Sequence, residues 1–248
     1  MVPFLDPDIE SLDLSGGEKD GLQVFRNYQR AFDAERRKRF CETVSWAPSS
    51  IEALREVTRL IVVEEQRSLP VIACAYADEA LSEMFARELP ENLPGGRSSL
   101  LSGFGPLANF SSRVKLAFAF GWGSQDMLLE LDTLRKLRNK ISHQWNISTF
   151  DAHFAELVTS KQSPIEALLT DDHHFSQGWD SQLSQEQRLR IRLVWILGRI
   201  TYESQVWVPA VKAGLPPHVT LYSTAPPGLL KDMASLCIEA TQEIRGRP

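Results

Sequence analysis

The sequence predicts an all-α protein built as a multi-helix bundle. Apolar residues recur every three or four positions through most of the 248 residues, and capping signals precede several of these stretches. Only the short run 219–222 resembles the period-two alternation of a strand. No internal repeat is visible, so the bundle is not a solenoid.

The first third of the chain predicts an arm followed by three helices. Residues 1–18 mix Pro, Asp, Ser and Gly without a helical period, which predicts an irregular arm. Residues 19–43 form an amphipathic pattern with a basic run at 36–39. Ser49 and Glu52 make a capping box for a helix to about residue 66, and Pro70 begins the next, which ends near Glu88.

The middle third predicts a loop and two further helices. Residues 89–102 are rich in Pro, Gly and Ser, which predicts a loop. Asn109 or Ser111 can cap a short apolar helix that Gly121 closes, and Ser124 caps the next helix. The buried stripe of that next helix is predicted to be Met127, Leu131, Leu134 and Ile141.

The last third predicts three helices and a Pro-rich loop. A capping box with Pro at the first position starts a short helix over residues 163–170, and Ser184 with Gln187 starts a long one that ends at Ala213. A loop over 216–227 precedes a final helix over 229–244.

We expect one domain made of three parts. These are the N-terminal arm, 1–18, a helical core, 19–160, and C-terminal helices packed on that core, 161–248.

Composition excludes several classes of protein. A formal charge of −5 and a pI near 5.6 argue against direct binding to duplex DNA, because neutralising phosphates needs a basic surface. Cys41, Cys74 and Cys237 are widely spaced without a CxxC pair, which indicates a reducing compartment. No apolar run reaches the roughly 18 residues of a membrane helix, and residues 1–15 lack the basic start of a signal peptide. We therefore expect a cytoplasmic protein with no membrane partner.

Cofactor and metal motifs are not found in the sequence. It contains no GxxxxGK, no GxGxxG after a strand and no HExxH, so we expect no cofactor. Residues 171–174, Asp-Asp-His-His, have the types that bind metals but lie too close together to surround one ion, so we expect no metal. His153 and His218 are isolated and predict no site.

The segment 134–143 carries the candidate catalytic residues, Arg138, Asn139 and His143. On a helix Asn139 and His143 share a face, and the long Arg138 side chain can reach round from the apolar side. A permanent cation, an amide and an imidazole could bind a phosphate, orient it and transfer protons. The structural alternative is that these side chains bond to Glu130, Asp132 or neighbouring helices and fix the bundle.

The basic run at 36–39 has two interpretations as well. It could contact RNA or an acidic partner, or it could be an ordinary solvated helix face.

Two segments resemble the mannitol operon repressor (MltR) family. They are residues 105–121, GPLANFSSRVKLAFAFG, and residues 134–143, LRKLRNKISH, and the likeness extends over roughly residues 51–145. The resemblance implies an all-helical bundle without a DNA-binding module, and the sequence shows no helix-turn-helix with a basic second helix. It therefore implies a regulator of transcription that acts through protein partners.

The spacing of Arg138 and His143 is also similar to the Arg-x4-His motif of the HEPN superfamily. Its members are helical bundles, commonly dimeric, and many are metal-independent ribonucleases. That resemblance implies Arg138 as a stabiliser of phosphate charge, His143 as general acid or base, and Asn139 as a group that holds the imidazole or a substrate oxygen.

We expect a non-enzymatic cytoplasmic regulator that acts through protein–protein association and forms a homodimer. The alternative is a HEPN-type endoribonuclease with RNA as its substrate, as in the toxin of a toxin–antitoxin pair. An enzyme needs the three residues in an accessible basic cleft, whereas a regulator needs an exposed apolar surface elsewhere.

Overall fold

A computed structural model of the chain describes residues 5–44, 48–143, 183–215 and 227–247. These ranges contain helices and no strand, which confirms the all-α class. The helices are α1 (Pro7–Glu10), α2 (Gly16–Thr43), α3 (Pro48–Val63), α4 (Leu69–Glu88), α5 (Gly96–Leu101), α6 (Phe110–Phe120), α7 (Gln125–His143), α8 (Gln185–Lys212) and α9 (Pro227–Gly246). The helix predicted over 163–170 and the run 219–222 lie outside the described residues.

Helix α8 forms the centre of the bundle. It packs against α3, α4, α7 and α9, and its residues from Leu189 to Val208 are buried without interruption. The capping box predicted at its start is present: the Ser184 N–H donates to Gln187 Oε1 at 2.9 Å, and the Gln187 N–H donates to Ser184 Oγ at 3.2 Å. A helix buried on all sides must be largely apolar, and the buried charges of α8 are paired. Arg199 and Glu203 join a network with α7, whereas Arg190 bonds to Glu186 and to backbone carbonyls at the end of α3.

Helices α8 and α9 approach closely at Gly198. A Cβ placed on Gly198 would lie 2.5 Å from Cys237 Sγ and 2.9 Å from Met233 Sδ. Contacts under 3.0 Å are closer than carbon and sulfur atoms tolerate, so the absence of a side chain at Gly198 allows this packing.

Helices α6 and α7 follow the sequence predictions closely. Asn109 caps α6, its Oδ1 accepting the N–H of Ser112 at 3.0 Å, and Gly121 ends the helix with a left-handed φ of 64°. Helix α7 then begins after Ser124 and packs against α4, α6 and α8. These contacts place the Arg138 motif in the last two turns of α7.

The structure differs from the sequence predictions in three places. Residues 1–18, predicted to be irregular, contain α1 and the start of α2, which begins three residues early because Ser15 and Glu18 form a capping box. The predicted loop 89–102 contains α5, which follows Gly95 and its left-handed φ of 81°. Helix α3 begins at Pro48 and ends at Val63, so Ser49 lies inside it.

Helix α2 lies largely outside the bundle. Its C-terminal end is anchored by Phe40, which is 1% exposed, and contacts α8. Towards its N-terminus it packs against α1, where Ile9 is buried. Between these ends most of its side chains are exposed. None of the helices described here combines the length and the apolar character that crossing a membrane requires.

Candidate functional site

The Arg138 motif lies on the C-terminal half of α7, beside the buried stripe of that helix. The predicted stripe residues Leu134 and Ile141 are buried, as are Met127 and Leu131. Arg138 and Asn139 are half-buried, and His143, the last residue of α7, is exposed. The three side chains therefore differ in their exposure to solvent.

Arg138 turns towards α4, where Cys74 is buried. Burial raises the pKa of the Cys74 thiol to about 12, and the positive charge of Arg138 partly opposes that rise. The Nε of Arg138 is buried and makes no hydrogen bond in the structure. The guanidinium therefore contributes its charge to the α4–α7 contact.

The structure shows no hydrogen bond among Arg138, Asn139 and His143 within the described part of the chain. The side-chain hydrogen bond described for this turn runs from Ser142 Oγ to the carbonyl oxygen of Arg138, at 2.8 Å. Asp132, proposed above as a structural partner of the motif, instead accepts from Arg135 at 2.7 Å and pairs with Lys136 at 2.9 Å. Glu130, the other proposed partner, pairs with Arg192 of α8.

A buried charge network that the sequence analysis missed joins the N-terminal half of α7 to α8. Glu203, fully buried, accepts the N–H of Ser124 at 2.9 Å, the hydroxyl of Ser124 at 2.8 Å and the Nε of Arg199 at 2.7 Å. Arg199 Nη2 also donates to Ser124 Oγ at 2.8 Å, and its Nη1 lies 4.0 Å from the Glu130 carboxylate. Arg192 pairs with Glu130, so the network contains two cations, Arg192 and Arg199, and two anions, Glu130 and Glu203. The network fixes α7 on α8. The sequence signal that could have revealed it is the spacing of the charged residues 192, 199 and 203 along α8.

A polar cleft of about 160 Å³ lies between α3, α4 and α8. The Tyr76 hydroxyl is hydrogen-bonded to Thr201 Oγ1 at 2.7 Å, and the exposed Glu79 and Glu83 line the same cleft. Burial, opposed by the hydrogen bond to Thr201, raises the pKa of Tyr76 to about 12. The cleft offers hydroxyl and carboxylate groups to a small polar molecule.

A second cleft, of about 380 Å³, lies between the C-terminal ends of α2, α4 and α8. Its lining includes Arg39 of the basic run, Arg87 and Lys212, and Glu88 pairs with Arg87 at 2.8 Å and with Lys212 at 2.6 Å. Arg138, Asn139 and His143 line neither this cleft nor the first.

More exposed large apolar side chains lie on α2 than on any other described helix. We call it the α2 stripe: Phe25, Tyr28 and Phe32, 60%, 64% and 64% exposed, with Leu22 and Val24 at its edges. A separate set of exposed apolar side chains lies near α6, namely Phe104, Phe118 and Phe120.

Part of the opposite face of α2, around Gln23, Arg26 and Arg30, is covered by α1 and the residue before it. The backbone N–H of Asp6 donates to Gln23 Oε1 at 2.8 Å, Arg26 pairs with Asp6 at 3.0 Å and with Asp8 at 2.7 Å, and Arg30 pairs with Asp6 at 2.8 Å. At about 100° per residue, Gln23 and Arg30 point away from the α2 stripe. The polar face of α2 is thus partly occupied within the chain, while its aromatic face is open to solvent.

Comparison with protein-family models, with curated proteins and with solved structures found no match. The resemblances to the mannitol operon repressor family and to the HEPN motif therefore stay predictions from the sequence. Among the described residues no group of three or more His, Cys, Asp or Glu side chains is placed to hold a metal ion. The acidic and histidine-containing segment 171–174, with His153 and His218, lies outside those residues.

Proposed function

We propose that this protein is a non-enzymatic cytoplasmic regulator, related to the mannitol operon repressor family, that acts by protein–protein association. The α2 stripe is the observation that supports this proposal. A contiguous exposed apolar patch on a soluble protein is typical of an interaction site, because covering one aromatic side chain gives roughly 1.5–3 kcal/mol. Covering three aromatic rings on one helix face would therefore contribute several kcal/mol to binding a partner.

The charge pattern supports association with protein in preference to direct reading of DNA. The basic run of α2 is partly neutralised within the helix, where Arg36 lies 3.6 Å from Asp33, Arg39 lies 3.0 Å from Glu35 and Lys38 lies 4.0 Å from Glu42. A surface that binds the duplex through phosphates needs unneutralised cations.

The experiment is a complementation test in the source cell. Deleting the gene should change the level of a limited set of transcripts, and the wild-type chain and His143→Ala should both restore them. Phe25→Asp with Phe32→Asp should fail to restore them, because two carboxylates would lie in the apolar contact. The matched control, Asn27→Asp with Ala34→Asp, adds the same charges at the same spacing at two exposed positions turned away from the stripe. An aspartate at position 27 can still accept the hydrogen bond that Gln23 donates to Asn27, so the control should restore the transcripts.

The second candidate is a metal-independent endoribonuclease, and the exposure of His143 and the Arg138 Nε without a hydrogen bond favour it. Arg138 would bind the scissile phosphate while His143 transfers a proton during attack by the neighbouring 2′-hydroxyl. In the complementation test this candidate predicts the reverse pattern, with His143→Ala inactive and the α2 stripe variant active.

A further inference from the structure

We infer that the α2 stripe binds the α2 stripe of a second copy of this chain, with the two helices antiparallel. This inference deepens the proposed function, on which it rests, by naming the first partner of the stripe. Four features of α2 support it: the spacing of its exposed apolar residues, their area, the charge distribution of the helix and its attachment to the bundle.

The spacing of the exposed residues is that of a helix-pairing seam. Phe25, Tyr28 and Phe32 are separated by three and four positions, the repeat with which paired helices bury a common stripe. Gly21 continues the seam towards the N-terminus, and a Cβ placed there would meet no atom within 4 Å.

The area of the stripe is sufficient for a pair. An aromatic side chain buries roughly 150–250 Å² when fully covered, so six rings that are each about three-fifths exposed supply on the order of 700 Å². Leu22, Val24 and the charged residues at both ends of each α2 extend the contact. Together they bring it close to the ~1,200 Å² at which stable interfaces begin.

The charge distribution favours the antiparallel arrangement. At the N-terminal end of α2, residues 16–20 carry a formal charge of −1, whereas residues 33–42, which include the basic run and its partners within the helix, carry a formal charge of +1. Two parallel helices would place the basic runs beside each other, where like charges repel. Two antiparallel helices place the basic run of each copy beside the acidic end of the other, including Glu18 and Asp20.

The attachment of α2 to the bundle favours the same arrangement. Phe40 is buried at the C-terminal end of the helix. Arg36 lies close to Gly214, just after α8, where a Cβ would be 3.7 Å from Arg36 Nε. Because a helix of 28 residues is about 42 Å long, antiparallel pairing keeps the two bundles at opposite ends of the contact. Parallel pairing would bring both bundles to the same end.

The first test measures the mass of the purified full chain in solution at ~50 μM by sedimentation equilibrium. The wild type and the control variant Asn27→Asp with Ala34→Asp should have twice the chain mass of 28.0 kDa. Phe25→Asp with Phe32→Asp should have the monomer mass and an unchanged helical circular dichroism spectrum. A monomeric wild type, or a dimer that survives the stripe substitutions, overturns the inference.

The second test measures the orientation of the helices by disulfide cross-linking in a Cys41→Ser background. With the two-fold axis near Tyr28, the Tyr28→Cys variant should cross-link to its own copy. Gly21→Cys should not, because the two positions would lie about 20 Å apart along the antiparallel helices, and a disulfide needs Cα atoms within about 7 Å. Efficient cross-linking of Gly21→Cys indicates parallel helices and overturns the inference.

Failure of this inference is distinguishable from failure of the proposed function. A monomeric wild type whose α2 stripe variant still fails to restore transcripts means that the stripe binds a different protein. A dimer formed by the stripe whose loss leaves the transcripts unchanged contradicts the proposed function and leaves the antiparallel pair intact.

Discussion

Glu203, in the middle of α8, accepts two hydrogen bonds from Ser124, the residue that precedes α7, through its backbone N–H and its hydroxyl. The same carboxylate pairs with Arg199. One buried side chain thus sets the start of α7, and through α7 the position of the Arg138 motif against the bundle. A buried charge in such a network is costly when its partner is lost.

Glu203→Gln should lower the free energy of unfolding by ~3 kcal/mol or more, because Arg199 stays buried while its partner loses its charge. For a chain of this size that corresponds to a fall of at least about 6 °C in the melting temperature, measured by calorimetry. The control Glu79→Gln, on an exposed side chain, should change the unfolding free energy by less than ~0.5 kcal/mol. Equal melting temperatures for the two variants would contradict this account of the network.

Gly198→Ala should destabilise the protein by about 1–3 kcal/mol. The added methyl group would meet Cys237 and Met233 at the contact of α8 with α9, and both helices are too tightly packed to separate without loss of contacts. Gly17→Ala in α2 meets no atom within 4 Å and should stabilise the helix by about 0.5–1 kcal/mol. Urea unfolding of the two variants measures the difference, and destabilisation of equal size in both would show that the close contact at Gly198 is not the cause.

One thiol of the three should react with a disulfide reagent in the folded protein at pH 8. Cys41 is exposed, whereas Cys74 and Cys237 are buried, and burial raises the pKa of the Cys74 thiol to about 12, so that very little thiolate forms. Absorbance of the released product should report one equivalent before unfolding and three in denaturant, and Cys41→Ser should remove the first. Rapid reaction of a second thiol in the native protein would be inconsistent with the buried position of Cys74.

Acid should release α1 from α2. Hydrogen bonds from Arg26 hold the pKa values of Asp6 and Asp8 below their ordinary value of 3.8. A lowered pKa in the folded state means that the carboxylates stabilise the contact above pH 3.8 and lose this effect as the pH falls through the folded-state pKa. The protection of the Asp6, Asp8, Ile9 and Glu10 amides, taken relative to the intrinsic exchange rate at each pH, should therefore fall below pH 3.8, and Arg26→Gln should move the transition upward. A transition at the same pH in wild type and variant would contradict the role of Arg26.

Much of the fold could be predicted from local signals. The capping residues Asn109 and Ser184 and the closing Gly121 are decided by nearby hydrogen bonds and backbone angles, so their positions in the sequence identify helix ends. The start of α2 was missed although Ser15 and Glu18 form a capping box, because the composition around them resembles a loop. Helix α5 was missed because its six residues have too little periodicity to be recognised.

The site could be predicted only in part. The sequence places Arg138, Asn139 and His143 on one helix, but their depth of burial depends on how α7 packs against α4 and α8. The spacing of Arg199 and Glu203 in α8 was visible in the sequence, but their partner Ser124 was not, because that contact joins segments more than 70 residues apart. The amphipathic character of α2 was visible, yet only the fold shows that its aromatic face is the one left in solvent.

The most direct test of the account is incubation of the wild-type protein and a folded His143→Ala variant with a mixed RNA pool in the presence of EDTA. Gel analysis should show the RNA intact with both proteins, because the proposed regulator acts through the α2 stripe and needs no catalytic histidine. Cleavage by the wild type that disappears in the variant would contradict the account and establish a metal-independent ribonuclease that uses His143.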